Sequence, residues 1–102
     1  MSIKLTRTFT RPSLAVEFWR APAETKTYIE DNYVKTEKLL SVDRGIIDDS
    51  SLTSTIVYVF ARITAFDEFI ADANLAAVVH ERNTYLAANG IANDYVVEEI
   101  AD

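Results

Sequence analysis

A chain of 102 residues, 49% of them hydrophobic, is sized for one domain around one core. Cysteine is absent, which excludes a disulfide framework and a thiolate metal site and fits an intracellular setting. Ten basic against sixteen acidic residues leave a net charge of −6, which argues against a nucleic-acid partner, because phosphate contacts need clustered Lys and Arg.

No stretch approaches the ~18 uninterrupted apolar residues of a membrane span, and residues 1–9 hold no apolar run of secretory-leader type. A cytoplasmic protein is expected, or a virion component if the chain is phage-encoded, with no membrane partner. The first strand is expected over residues 3–10, where Ile3, Leu5 and Phe9 alternate with Lys4, Thr6 and Thr8. Arg7 breaks that apolar parity and is read as lying at an edge or reaching water. Lys4, Arg7, Arg11 and Arg20 are spread out, and together they read as a solvated strand face rather than an anion patch. Pro12 stops the strand, and Leu14, Val16, Phe18 and Trp19 form a hydrophobic connector.

A first helix is predicted over residues 22–40. Proline suits a first helical turn, because the amide it lacks would have no partner there. Thr25, Tyr28, Ile29, Tyr33, Thr36, Leu39 and Leu40 recur at helical spacing, and Asp31 and Lys35 stand four apart in the favourable order. A strand over residues 41–47 follows, then the turn formers Asp48-Asp49-Ser50-Ser51. The third strand, residues 52–62, is rich in β-branched and aromatic side chains and completes a hairpin.

Helical signals return over residues 65–89, with Thr64 as N-cap. Leu75 falls about 180° from Phe66 at ~100° per residue, so the pattern predicts a break near residues 72–74. Asn89-Gly90-Ile91 predicts a Schellman ending with Gly90 left-handed and Ile91 folded back on Leu86. A last strand covers residues 94–100. The order β-α-β-β-α-β specifies an α+β, ferredoxin-like single domain, with a four-stranded antiparallel sheet carrying two helices on one face.

Such a sheet leaves one face to water, yet Ile56, Tyr58 and Phe60 alternate with Val57 and Val59, and Tyr95 and Val97 alternate with Val96. Both faces are apolar, so a second copy packed sheet to sheet is the expected partner. Parity alone does not say which set meets the helices. The smaller set suits sheet-on-sheet packing, so Val57, Val59 and Val96 are assigned to the dimer face.

The element order, the length, the two-sided third strand, the broken second helix and the Asn89-Gly90-Ile91 ending resemble the dimeric α+β barrel superfamily. That group includes the antibiotic-biosynthesis-monooxygenase-like and stress-responsive barrel proteins. The stretch from Phe69-Ile-Ala-Asp72 through Arg82-Asn-Thr-Tyr85 also resembles small proteins of tailed bacteriophages. The barrel resemblance implies a pocket between sheet and helices, which Tyr28, Tyr33, Tyr58, Phe60, Phe66, Phe69 and Tyr85 would line if they do not simply pack the core.

No catalytic constellation is complete. With two glycines there is no phosphate loop, and His80-Glu81 lacks the second histidine of a zinc-protease helix, because Thr84 stands at that position. Asp48-Asp49, Asp67-Glu68 and Glu98-Glu99 with Asp102 read as solvated acidic surface rather than calcium sites. His80 is the single weak catalytic candidate, since its unperturbed pKa lies near neutrality. The resemblance implies a histidine on this helix in haem-degrading members, but their tryptophan is replaced here by Phe60 or Phe66. No cofactor or metal is therefore expected. The favoured function is a homo-oligomeric interaction or structural domain and not an enzyme. The alternative is a cofactor-independent monooxygenase-like barrel, or one binding a small apolar ligand, with His80 and a tyrosine as polar groups.

Overall fold

The computed structural model describes residues 1–45 and 50–101. Strands β1 (Ser2–Thr10), β2 (Leu39–Arg44), β3 (Thr53–Phe60) and β4 (Ala92–Ile100) form one antiparallel sheet in the order β2-β3-β1-β4. Helices α1 (Ala23–Ile29), α2 (Ile63–Ile70) and α3 (Ala73–Asn89) form the other layer. This is the expected ferredoxin-like arrangement. Ile46, Ile47, Asp48 and Asp49, assigned above to a strand end and a turn, lie outside the described residues. Among the described residues no helix is long and apolar enough to cross a membrane.

Directly paired residues point to the same face of an antiparallel sheet. Ile3 pairs with Phe60 and Leu5 with Tyr58, and these side chains meet the helices. Phe60 (0% exposed) and Leu39 (1%) are the most deeply buried large side chains. Phe66 and Phe69 of α2 pack on Phe60, with ring centroids 5.4 and 5.2 Å away. Tyr33 meets Phe69 edge-on at 5.0 Å. Aromatic pairs at such distances add to the area they bury.

The break in the second helical segment falls where the two apolar stripes go out of phase. Asp72, not a continuous helix, spans it: its Oδ1 accepts from the Asn74 amide at 2.8 Å and caps α3. The expected N-cap at Thr64 is displaced, however. Arg62 occupies the N-cap position of α2 without a side-chain capping bond, and Thr64 lies inside the helix.

The first helix is shorter than its pattern. After α1 the chain widens into a π-helical turn, Glu30–Val34, in which the Lys35 amide donates to the Glu30 carbonyl at 2.9 Å. The helix then ends at Glu37, whose φ is +61°. The Glu37 amide donates to Val34 and the Lys38 amide to Tyr33, a Schellman ending with a glutamate in the glycine position. Without a glycine to mark that end, Leu39 and Leu40 read as helix. They open β2 instead, with Leu39 buried and Leu40, at a bulge, 54% exposed.

The second Schellman ending has the residue it wants. Gly90 has φ +67°, and the Ile91 amide donates to the Leu86 carbonyl at 2.9 Å. A Cβ on Gly90 would meet only the Pro12 ring, at 3.7 Å, so conformation rather than space selects glycine there. Glu37→Gly is expected to raise stability, and Gly90→Ala to lower it, each by about 1 kcal/mol. Urea denaturation of the two variants beside wild type checks both signs.

Candidate ligand cleft

The helical layer packs on the end of the sheet that carries Ile3, Leu39 and Phe60, and leaves space over the other end, at Phe9, Arg44, Ser54 and Ile56. Tyr95 of β4 shares the helix side with Arg7, its paired residue, yet is 63% exposed. Two cavities open between the layers. The first, about 350 Å³, is lined by Phe9, Phe18, Trp19, Ile56, Tyr58 and Leu86, and by Arg7, Arg20, Lys26, Arg44 and Arg82. The second, about 470 Å³, lies between α2, α3 and β1, with Leu5, Phe69, Leu75, Val78, His80 and Asn83 in its wall. Arg7, Tyr58 and Arg82 belong to both.

The connector reaches the first cavity because two side chains hold it down. Arg11, read above as part of a solvated face, is buried. Its Nε donates to the Ser51 carbonyl at 2.8 Å and its guanidinium to the Val16 carbonyl at 3.0 Å. Its guanidinium carbon lies 4.6 Å from the centre of the Phe18 ring. From α3, the Tyr85 hydroxyl donates to the Glu17 carbonyl at 2.6 Å. Phe18 and Trp19 are thereby held as a cavity wall.

Arg7 corrects a second expectation. It is on a central strand, flanked by β3 and β4, and points to the helix side among apolar residues. It donates to Asn93 Oδ1 at 2.9 Å and lies 5.3 Å from the Tyr95 ring centre. Arg82 of α3 donates twice to Asn83 Oδ1, at 3.3 Å each, and lies 5.9 Å from the Phe9 ring. Burial lowers the Arg82 pKa from its ordinary value, and the charge of Arg7 lowers it further. Neither guanidinium meets a carboxylate among the described residues.

Of the aromatic residues expected at a pocket, Tyr58 lines both cavities, and Phe69 and His80 line the second. Tyr33, Phe60 and Phe66 are packed in or against the core. Tyr28 belongs to a polar junction in which its hydroxyl and that of Tyr33 both donate to Asp72 Oδ2, at 2.8 and 2.6 Å. Asn74 Nδ2 donates to the Tyr28 hydroxyl at 3.0 Å. Burial and then the Asp72 hydrogen bond push the Tyr33 phenol well above its usual range, and the same carboxylate raises Tyr28. For Asp72 itself, burial works upward, but the hydrogen bonds from Tyr33, Tyr28 and Asn74 outweigh it and hold the carboxyl below its usual range.

His80 is exposed, and its wall differs from that of Trp19, which lines the first cavity only. The cations of the cleft escaped notice because they come from β1, the connector, α1, β2 and α3. The one local signal was Arg7 at an apolar parity position. A five-residue step between Tyr28 and Tyr33, one too long for an α-helix, similarly marked the π turn.

No known family model matches the chain, and no curated protein matches it. Three solved structures do. SnoaB, a cofactor-independent oxygenase from Streptomyces nogalater, superposes with a TM-score of 0.58 at 13% identity, over 99% of this chain and 94% of that one. A proposed antibiotic biosynthesis monooxygenase from Deinococcus radiodurans gives 0.57 at 9% identity, over 98% and 93%. A dimeric ferredoxin-like protein from an uncultured marine organism gives 0.53 at 10%, over 99% and 98%. The chain has a ferredoxin-like α+β fold, as these structures do. At these identities the likeness is one of fold, and it agrees with the resemblance read from the sequence.

Removing the junction carboxylate should loosen this fold in a pH-dependent way. Asp72→Ala is expected to cost about 1–2 kcal/mol at neutral pH, by losing the α3 cap and stranding two phenols. A carboxyl with a lowered folded pKa stabilises above its unfolded value and ceases to as pH falls through the folded one. The gap to wild type should therefore close below about pH 4, as measured by urea denaturation across pH. His80→Ala should change stability by less than about 1 kcal/mol in the same assay, because the side chain is exposed.

Proposed function

We propose that this chain is a homodimeric domain that binds a small, flat-bodied apolar molecule in the cleft between sheet and helices. One observation carries the ligand half: the layers are not packed shut. Two adjoining cavities, of about 350 and 470 Å³, share Tyr58, and each has the volume of a small-molecule site. Both open to solvent and are walled by apolar side chains with a few polar groups, which is the make-up of a small-molecule cleft. The Tyr58 hydroxyl has no hydrogen-bond partner among the described residues, so it is available to orient a ligand.

The dimer half rests on the outer sheet face. Val57 and Val59 of β3 pair with Thr6 and Lys4 of β1, so they point away from Leu5 and Phe60. Val96 pairs with Thr6 from the other side and is 55% exposed, and Leu40 is 54% exposed nearby on β2. A two-fold pairing of this face would remove on the order of several hundred Å² from water per subunit. The marine fold neighbour is described as dimeric. SnoaB is described as a cofactor-independent oxygenase. That favours a further step, oxygenation of the bound molecule, in which Tyr58 and His80 are the proton-transferring groups the second cavity offers.

Light scattering at micromolar concentration is expected to give a dimer for wild type and a folded monomer for Val57→Lys with Val59→Lys. A monomeric wild type would end the dimer reading. For the cleft, the neutral probe 1-naphthamide is expected to bind by calorimetry. Ile56→Trp, which fills the first cavity, should abolish that heat, and His80→Ala should preserve it. No heat from folded wild-type protein would remove the ligand reading.

A further inference from the structure

The chain carries an excess of six negative charges, yet every charged residue lining the first cavity is a cation: Arg7, Arg20, Lys26, Arg44 and Arg82. Arg20, Lys26 and Arg44 are exposed and keep their water, whereas Arg7 and Arg82 are half-buried at the junction of the two cavities. Their protein partners are all neutral: an amide oxygen and a tyrosine face for Arg7, an amide oxygen and a phenylalanine face for Arg82. The second cavity has one carboxylate in its wall, Asp72, and its oxygens are taken by Tyr28, Tyr33 and the Asn74 amide.

Two half-buried like charges with no counter-charge among the described residues are unfavourable to a fold, and the chain has sixteen acidic residues that could supply one. Each guanidinium also keeps N–H donors that the neutral partners do not use: Arg82 spends Nε and one terminal nitrogen on a single amide oxygen, at long distances. The arrangement lacks an anion, and the surrounding wall says what the anion is attached to.

We propose that the cleft's ligand is a flat apolar acid, its carboxylate shared by Arg7 and Arg82 and its body resting on Phe9, Ile56, Tyr58 and Leu86. This rests on the reading of the cleft as a ligand site and adds the charge and polarity of what fills it. The planar guanidinium fork matches a carboxylate in two-point geometry, and a half-buried site makes such a pair stronger than at an open surface. Arg20, Lys26 and Arg44 extend the positive field around the cavity and raise the encounter rate for an acid against the repulsion of the acidic exterior.

The probes are 1-naphthoate and its neutral isostere 1-naphthamide, each titrated by calorimetry into the full chain at low and moderate salt. Naphthoate is expected to bind at least about tenfold more tightly, with the margin shrinking as salt is added. In Arg82→Gln and in Arg7→Gln the margin should fall to about twofold or less while naphthamide affinity holds. The ligand-free variants should melt at or above the wild-type temperature, because a repulsion has been relieved; a guanidinium with a purely structural role would lower it. Should one variant fail to fold, the other carries the test. Equal affinity for the two probes in wild type would overturn the acid assignment and leave the ligand cleft standing. Binding of neither would overturn both. A naphthoate preference that survives in both variants would also overturn it, since the anion would then be held elsewhere, as would acetate binding as tightly as naphthoate.

Discussion

Asp72 stands where three helical segments meet, and what its two oxygens accept decides how the helical layer is set on the sheet. Oδ1 takes the Asn74 amide and starts α3; Oδ2 takes the hydroxyls of Tyr28, from α1, and Tyr33, from the π turn. A carboxylate accepting several hydrogen bonds at once is short of conformational freedom, and so are the segments that donate to it. The π turn is part of this constraint. In an unbroken α-helix two residues five apart point about 140° away from each other, and the wider turn brings Tyr33 round towards the side of Tyr28. With α1 and the start of α3 tied together, the aromatic residues of α2 close over Phe60 at one end of the sheet. The remainder of α3 runs on past Arg7 without closing the space beside it.

That geometry separates charge in an unusual way. Every described acidic residue except Asp72 is exposed, so the carboxylates face solvent around the whole molecule. Arg7 and Arg82 are half-buried in the cleft and Arg11 is buried beneath the connector, whereas Lys4, also half-buried, turns to the outer sheet face. A guanidinium head can lie over an aromatic face, as Arg11 does on Phe18 and Arg82 on Phe9, and still donate to polar atoms, which a carboxylate cannot do. The result is a positive cavity in a negative protein, a distribution that the net charge of −6 conceals.

The two faces of the sheet are then put to different uses by one alternation. On β3, Phe60 and Tyr58 turn to the helices, while Val59 and Val57 turn outward. A single-residue slip would exchange the two sets, and the register is held because Phe60 fits only the inner side, against α2. The branched residues left outside share their face with Lys4, Thr6 and Glu98. The aromatic residues inside make the walls of both the core and the cleft.

Period and turn chemistry determined much of this protein directly. The element order, the antiparallel hairpin, the break before Asn74 and the Gly90 ending were all legible, because each depends on residues close in sequence. What failed locally failed where the chain used a residue against its preference: Glu37 in a left-handed turn gave no sign that the helix stopped, and Leu39 and Leu40 were misread with it. The cleft belonged to neither category. Arg7, Trp19, Arg44 and Arg82 are separated by up to 75 positions and share nothing in sequence but their charge or size. Only the strand order, which places β1 in the middle of the sheet, and the bonds from Arg11 and Tyr85 that hold the connector down bring them to one cavity. Which side chains meet across a gap depends on how layers pack, and spacing along the chain carries no record of it.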